Sequence, residues 1–285
     1  MTDLLSAVER TALLTAALRA AESAREDRLY HDPYAARLAG DTGLRLLSRV
    51  REVTFPSDGR RTTPSTPDFN ATRTRFFDEH LQQVAWDGHT PQIVLAPAGM
   101  DSRAYRLDWP SGARYFELDQ PAVLSYKKER MRDAVPRVDH RSVTVDLTAD
   151  DWEDPLLAAG YDPSLPSAWL IEGLLYYLPG EDVHRLLAGI AAVTAPGSHI
   201  AADLVNTTAL TTPGTRPLLD VFADWGCPWR YGTEEPEQVL HEHGFTVEAV
   251  QPGDPAADYG RWPDPVPPRT VSGVPRVFLV RGRRR

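Results

Sequence analysis

The stretch Ile93-Val94-Leu95-Ala96-Pro97-Ala98-Gly99-Met100-Asp101-Ser102-Arg103-Ala104-Tyr105-Arg106-Leu107 runs an apolar strand into a turn of small residues and on into a helix-like segment. An α/β sheet presents its ligand-binding edge at such a junction. A second strand, Arg114-Tyr115-Phe116-Glu117-Leu118-Asp119, ends in a carboxylate 20 residues after Gly99. In a nucleoside-binding sheet that separation sets an acid against ribose hydroxyls. The two strands together point to a nucleoside cofactor. Taken alone, the turn has one glycine rather than three and also reads as an ordinary strand-to-helix turn.

Outward from this junction, strand candidates at 92–97, 114–119, 141–146, 167–172 and 198–205 alternate with helical segments. That rhythm predicts an α/β fold with a mainly parallel sheet and helices on both faces. The last two strands, 245–251 and 275–281, have no long helix between them and can pair antiparallel at one edge. Upstream, residues 4–25 read as a helix, with Leu4, Leu5, Val8, Leu13, Leu14 and Leu18 at helical spacings. A further helix carries Phe76, Phe77, Leu81 and Val84. From Phe55 to Pro67 the chain turns to Pro, Ser, Thr, Gly and Arg, which builds no core and marks a candidate lid at 55–67. Residues 206–236 break the rhythm with the aromatics Phe222, Trp225, Trp229 and Tyr231. The whole reads as one domain over 1–285: a helical cover and lid (1–90), a cofactor-binding core (91–205), a substrate-side insertion (206–236) and C-terminal strands (237–285).

The 285 residues carry a formal net charge of −9, which disfavours general attraction to a phosphate backbone and so a nucleic-acid partner. Arg281-Gly282-Arg283-Arg284-Arg285 is a local exception that reads as a solvated tail. The single cysteine, Cys227, excludes an intramolecular disulfide and a cysteine-based zinc cluster, and fits a reducing cytoplasm. No stretch gives about 20 uninterrupted apolar residues, so a membrane span is not expected. His241-Glu242-His243 sits on a predicted helix where neighbours two apart point to different sides, and no metal site is expected.

Leu95 through Leu107, with Phe116-Glu117-Leu118-Asp119-Gln120-Pro121, resembles the S-adenosylmethionine-dependent methyltransferases of the leucine carboxyl methyltransferase type, in particular their bacterial small-molecule branch. Arg73-Thr74-Arg75-Phe76-Phe77-Asp78, Val145-Asp146-Leu147 and Glu172-Gly173-Leu174-Leu175-Tyr176-Tyr177-Leu178-Pro179 extend the resemblance over most of the chain. It implies a class I, Rossmann-like fold with a seven-stranded sheet, and S-adenosylmethionine as cofactor. It also implies a small organic acceptor of secondary metabolism, and a homodimer is compatible with it. An N-terminal cover including Arg19, Glu22 and Tyr30-His31-Asp32-Pro33-Tyr34-Ala35 would lie over the cofactor. One departure is Pro97, where the family usually has glycine; proline removes an N–H and sets φ near −65°.

Methyl transfer from a sulfonium is an in-line displacement with an activated leaving group, so the protein must chiefly hold nucleophile, methyl carbon and sulfur in line. Asp119 is expected to accept the ribose hydroxyls, or else to cap the following helix. Gln120 follows it in the motif. Ala98 and Gly99 let the backbone approach the cofactor. Asp146, with Leu147, resembles the position that reads the adenine amino group; capping before Thr148 is the other reading. The resemblance points to Arg73 for the methionine carboxylate, with Arg75 as a surface alternative. Glu172 is assigned positioning and electrostatics near the transferred group. Tyr176 and Tyr177 either direct a hydroxyl at substrate or form wall, and His31 is the candidate general base. Phe222, Trp225, Trp229 and Tyr231 are candidate substrate contacts. The expected reaction is O-methylation of a carboxylate or hydroxyl. The rivals are C-methylation of an electron-rich aromatic, such as an indole in a cyclic dipeptide, and a non-catalytic cofactor-binding protein.

Overall fold

A computed structural model describes residues 7–54, 66–262 and 265–285. Three helices lead: α1 (Ala7–Ser23), α2 (Ala35–Thr54) and α3 (Thr66–Ala85). There follow β1 (Gln92–Leu95), α4 (Arg103–Arg106), β2 (Arg114–Asp119), α5 (Pro121–Arg130), β3 (Asp139–Thr144), α6 (Glu153–Ala158) and β4 (Ser167–Ile171). After a 3-10 turn at Leu175–Tyr177 come α7 (Gly180–Val193), β5 (His199–Val205), α8 (Thr207–Thr211) and α9 (Arg216–Asp224). The chain closes with α10 (Pro236–Glu242), β6 (Phe245–Val250) and β7 (Val277–Arg284).

The seven strands form one sheet in the order β3-β2-β1-β4-β5-β7-β6. β1 to β5 are parallel, and β7 runs antiparallel between β5 and β6. The expected sheet is therefore present, including its antiparallel edge. The third strand lies earlier than the expected 141–146, and the last runs beyond the expected 281. Most of the lid expected at 55–67 lies outside the described residues; 66 and 67 open α3.

Side chains alternate across a strand, and this alternation divides the core. Ile93, Leu95, Tyr115, Leu170 and Leu279 face the side covered by α1, α2 and α3, where they meet Leu13, Leu38, Phe77 and Leu81. Val94, Phe116, Trp169, Ile171 and Val280 face the other side, against Leu156, Leu186, Ile190 and Leu240. The strands read as near-continuous apolar runs because both faces are covered. Trp169 is fully buried, donates to Ser167 Oγ at 3.0 Å and meets Trp152 and Tyr161 edge-on. Trp169→Ala removes a large core side chain and should destabilise the fold by about 3–5 kcal/mol, read as a lowered urea midpoint with unchanged slope.

Candidate functional site

β1 pairs with β2 on one side and β4 on the other, so the chain reverses direction across the sheet at the C-terminal end of β1. Connections leave toward opposite faces there and a crevice opens. Ala96 N–H still donates to Leu170 O and Ala98 N–H to Leu118 O, at 3.0 and 2.9 Å, so the turn prolongs both ladders before it swings outward. Gly99 has φ +49°, a left-handed conformation that favours glycine. Its N–H donates to Asp119 Oδ2 at 2.6 Å, and Gln120 N–H donates to Asp119 Oδ1 at 2.7 Å. The 20-residue separation seen in the sequence is thus a direct contact. Each carboxylate oxygen has two lone pairs, so Asp119 retains one on each for a further donor. Burial raises the Asp119 pKa despite the opposing effect of the two N–H groups and Lys127.

A cavity of about 360 Å³ occupies this crevice. All eight residues expected to contact the cofactor line it: Arg73, Ala98, Gly99, Asp119, Gln120, Asp146, Leu147 and Glu172. Pro97 lines it too. Asp146 is exposed and accepts from the Thr148 N–H and hydroxyl at 3.0 and 2.7 Å, so it turns the chain as well as facing the cavity. A second cavity, of about 410 Å³, lies alongside. Thr11, Thr15, Arg73, Tyr176 and Tyr177 line both cavities and mark the junction between them. Phe222 and Trp229 line the second, stacked at 6.0 Å with 18° between their planes.

Three expected residues lie elsewhere. His31 is exposed and lines neither cavity, because the neighbouring Asp32 turns inward and is tied to Arg19 at 2.9 Å and to the Ser102 hydroxyl at 2.6 Å. Trp225 is buried behind Phe222 at the end of α9, with centroids 5.6 Å apart. Tyr231 packs on Gly180 and His184 at the far side of the sheet.

The junction rests on a buried lattice of ion pairs. Glu172 bridges Arg73 Nε (2.9 Å) and Arg103 Nη1 (2.9 Å). Arg73 Nη1 reaches Asp203 Oδ2 at 2.8 Å, and Arg103 reaches Asp101 at 2.5 Å and Asp78 at 2.7 Å. Asp78 is shared with Arg106 at 2.6 Å. Burial opposes the charge on Arg73, yet Asp203 and Glu172 hold its pKa well above the ordinary value. Asp203 is fully buried; it accepts the Gly173 N–H at 2.6 Å and the Tyr176 hydroxyl at 3.4 Å. Burial pushes the Tyr176 phenol well up, with Asp203 adding to the effect. With Arg19 and Asp32, four arginines face five carboxylates here, an excess of negative charge beside the cavity.

Sequence reasoning did not single out Arg103, Asp78, Asp101 or Asp203. Asp203 left a signal: a carboxylate inside the apolar strand His199–Val205 needs a partner. Arg103 left none beyond its place just after the turn.

An open sheet in this order, with its crevice beyond β1, is the architecture of class I methyltransferases. The leucine carboxyl methyltransferase family model matches residues 12–191. A protein of Mycobacterium bovis (strain BCG / Pasteur 1173P2) described as "Putative S-adenosyl-L-methionine-dependent methyltransferase" is 38% identical over 97% of this chain and 91% of its own length. A protein of Rhodococcus jostii with the same description is 40% identical over 93% and 90%. The crystal structure of a methyltransferase, termed putative, from Thermobifida fusca shares the fold, with a TM-score of 0.62 at 19% identity over 91% of this chain and 94% of that one. The chain belongs to the leucine carboxyl methyltransferase family. It is an S-adenosylmethionine-dependent methyltransferase acting on a small molecule, with S-adenosylmethionine as its cofactor. No helix among the described residues is long and apolar enough to cross a membrane.

Three outcomes follow from this geometry. Asp119→Ala should weaken S-adenosylhomocysteine binding by about 1.5–3 kcal/mol, roughly 10- to 150-fold by calorimetry. In the unsubstituted protein, ionised Asp119 is the form that accepts. Affinity should fall as pH drops through its raised pKa, earlier than an exposed aspartate would titrate. Arg103→Met leaves Glu172, Asp101 and Asp78 without their shared cation and should lower stability by about 3–5 kcal/mol in urea unfolding.

Proposed function

We propose that the enzyme methylates an oxygen nucleophile that is already ionised, a carboxylate or an acidic hydroxyl, on a small molecule of secondary metabolism as the resemblance implies. In this reading the first cavity holds the cofactor and the second the acceptor, and transfer takes place where they meet. When bound, the cofactor supplies an electrophilic methyl group on a cationic sulfur. The observation that carries the reading is the junction lining: Thr11, Thr15, Arg73, Tyr176 and Tyr177 include no carboxylate, histidine or lysine. Glu172 is engaged by two arginines, and the Tyr176 phenol stays protonated as a donor. An acceptor that needs no proton removed suits such a site.

The roles of the chain's own residues follow. Asp119, the Gly99 turn and Gln120 hold the nucleoside end. Arg73, fixed by Glu172 and Asp203, faces both cavities and offers its charge to the carboxylate of the methionine moiety or to an anionic acceptor. Tyr176, its one hydroxyl proton directed at Asp203, helps to wall the junction. Held by these residues, the cofactor would supply its methyl group to the acceptor oxygen, its sulfur keeping the electron pair of the carbon–sulfur bond. The anionic oxygen that is methylated becomes part of a neutral ester or ether group and the sulfonium a thioether, so no proton need move.

The stacked Phe222–Trp229 pair favours a second reading, methylation of an aromatic carbon. Carbon attack must shed a ring proton and so calls for a base. The acceptor chemistry is tested by the product formed with labelled cofactor. A carboxylate acceptor yields a label released as methanol by mild alkali, an acidic hydroxyl yields an ether stable to it, and carbon-bound label would overturn the O-methylation reading. Tyr176→Phe should leave saturated turnover within about tenfold, and His31→Ala should leave it unchanged; a loss of roughly 10²–10⁴ in either would mark a required acid–base group.

A further inference from the structure

The second cavity is lined by two charged side chains among the described residues, Arg73 and Arg276, and both are cations. They differ in how they are paired. Arg73 meets Glu172 and Asp203. Arg276, only 5% exposed, donates from Nη1 to Gln251 Oε1 and Pro267 O at 2.5 and 2.6 Å. Its Nη2 donates to Pro268 O and Val271 O at 2.7 and 2.8 Å. All four acceptors are neutral, and no described carboxylate pairs with this guanidinium. Arginine cannot shed its proton, and a buried charge without a counter-ion is costly. This part of the cavity therefore favours a negative charge.

The position of Arg276 also separates it from the transfer step. Arg73 and Tyr176 line both cavities, whereas Arg276 lines the second alone. The same cavity presents the stacked face of Phe222 and Trp229. Two of its lining residues, Asn70 and Trp229, each carry a buried polar atom without a hydrogen-bond partner, the acceptor Oδ1 and the donor Nε1.

We propose that the second cavity selects an aromatic molecule bearing an anionic group distinct from the atom that is methylated, with Arg276 as the specificity-determining cation. The proposal rests on reading this cavity as the acceptor chamber. A flat ring lies against Phe222 and Trp229. Its anionic group gives Arg276 a counter-charge that no described residue provides, and a polar substituent meets Asn70 or Trp229. Because the anion is a handle rather than the nucleophile, the methylated product keeps its negative charge.

The test is titration of the full chain, loaded with S-adenosylhomocysteine, with 2-naphthoate and its neutral isostere 2-naphthamide. Naphthoate should bind at least about tenfold more tightly. Arg276→Gln should bring naphthoate down to the amide's affinity. Arg276→Lys keeps the charge without spanning the four oxygens and should retain most of the preference. Equal binding of the two probes to the unsubstituted protein, no binding of either, or an Arg276→Gln loss shared equally by both would each overturn the proposal. The last result would leave Arg276 as a clamp on its own loop. Should Arg276→Gln not fold, Arg276→Lys and the unsubstituted protein still decide: loss of the preference in the lysine variant, with S-adenosylhomocysteine affinity intact, counts against a role for charge. Since the titration involves no turnover, its failure is distinct from failure of the O-methylation reading, which the fate of the label decides.

Discussion

Glu172 stands between Arg73 and Arg103, and the site depends on that bridge. One carboxylate at the end of β4 thereby joins α3, which carries Arg73, to α4, which follows the β1 turn and begins at Arg103. Both guanidiniums are almost fully buried, so water screens the attraction little and an unpaired member would be costly. Asp203 holds Arg73 from β5, while Asp78 holds Arg103 from α3. The lattice thus fixes the helical cover against the C-terminal edge of the sheet, where the crevice opens.

The same pairing governs the chemistry. Glu172 is held by two arginines, and the Tyr176 phenol, buried beside Asp203, keeps its proton. The surroundings are accordingly arranged for orientation and charge placement, which is what displacement at an activated methyl group requires. Gly173 shows how closely the parts approach: its N–H holds Asp203, its φ is +69°, and a Cβ there would meet Arg73 at 3.4 Å. A larger residue would have to adopt an unfavourable backbone conformation and crowd the lattice.

α1 forms a wall common to both cavities. Leu13, Leu14, Ala16, Ala17 and Leu18 are buried in the helical cover, while Thr11 and Thr15 line each cavity. Arg19, one turn on, ties the helix to Asp32 and to the carbonyl of Met100 beside the Gly99 turn. A movement of this helix would therefore be felt at both cavities at once.

The sheet, its antiparallel edge and the helices on both faces were legible in the sequence, because apolar periodicity and turn residues are local properties of the chain. The Gly99 and Asp119 contact was legible for a related reason: a strand, a crossover and a second strand have a nearly standard length, so separation along the chain stands for distance. Burial direction was not legible. His31 and Asp32 are adjacent polar residues, and only packing against Arg19 and Ser102 turns one inward and leaves the other in solvent. Trp225, Trp229 and Tyr231 likewise read as one cluster, yet the end of α9 and the following loop send them to three different environments. The ion lattice and the neutral acceptors around Arg276 join residues far apart in the chain, and only the tertiary fold decides which charges meet an opposite charge in a low-dielectric interior and which, among the described residues, meet only neutral oxygens.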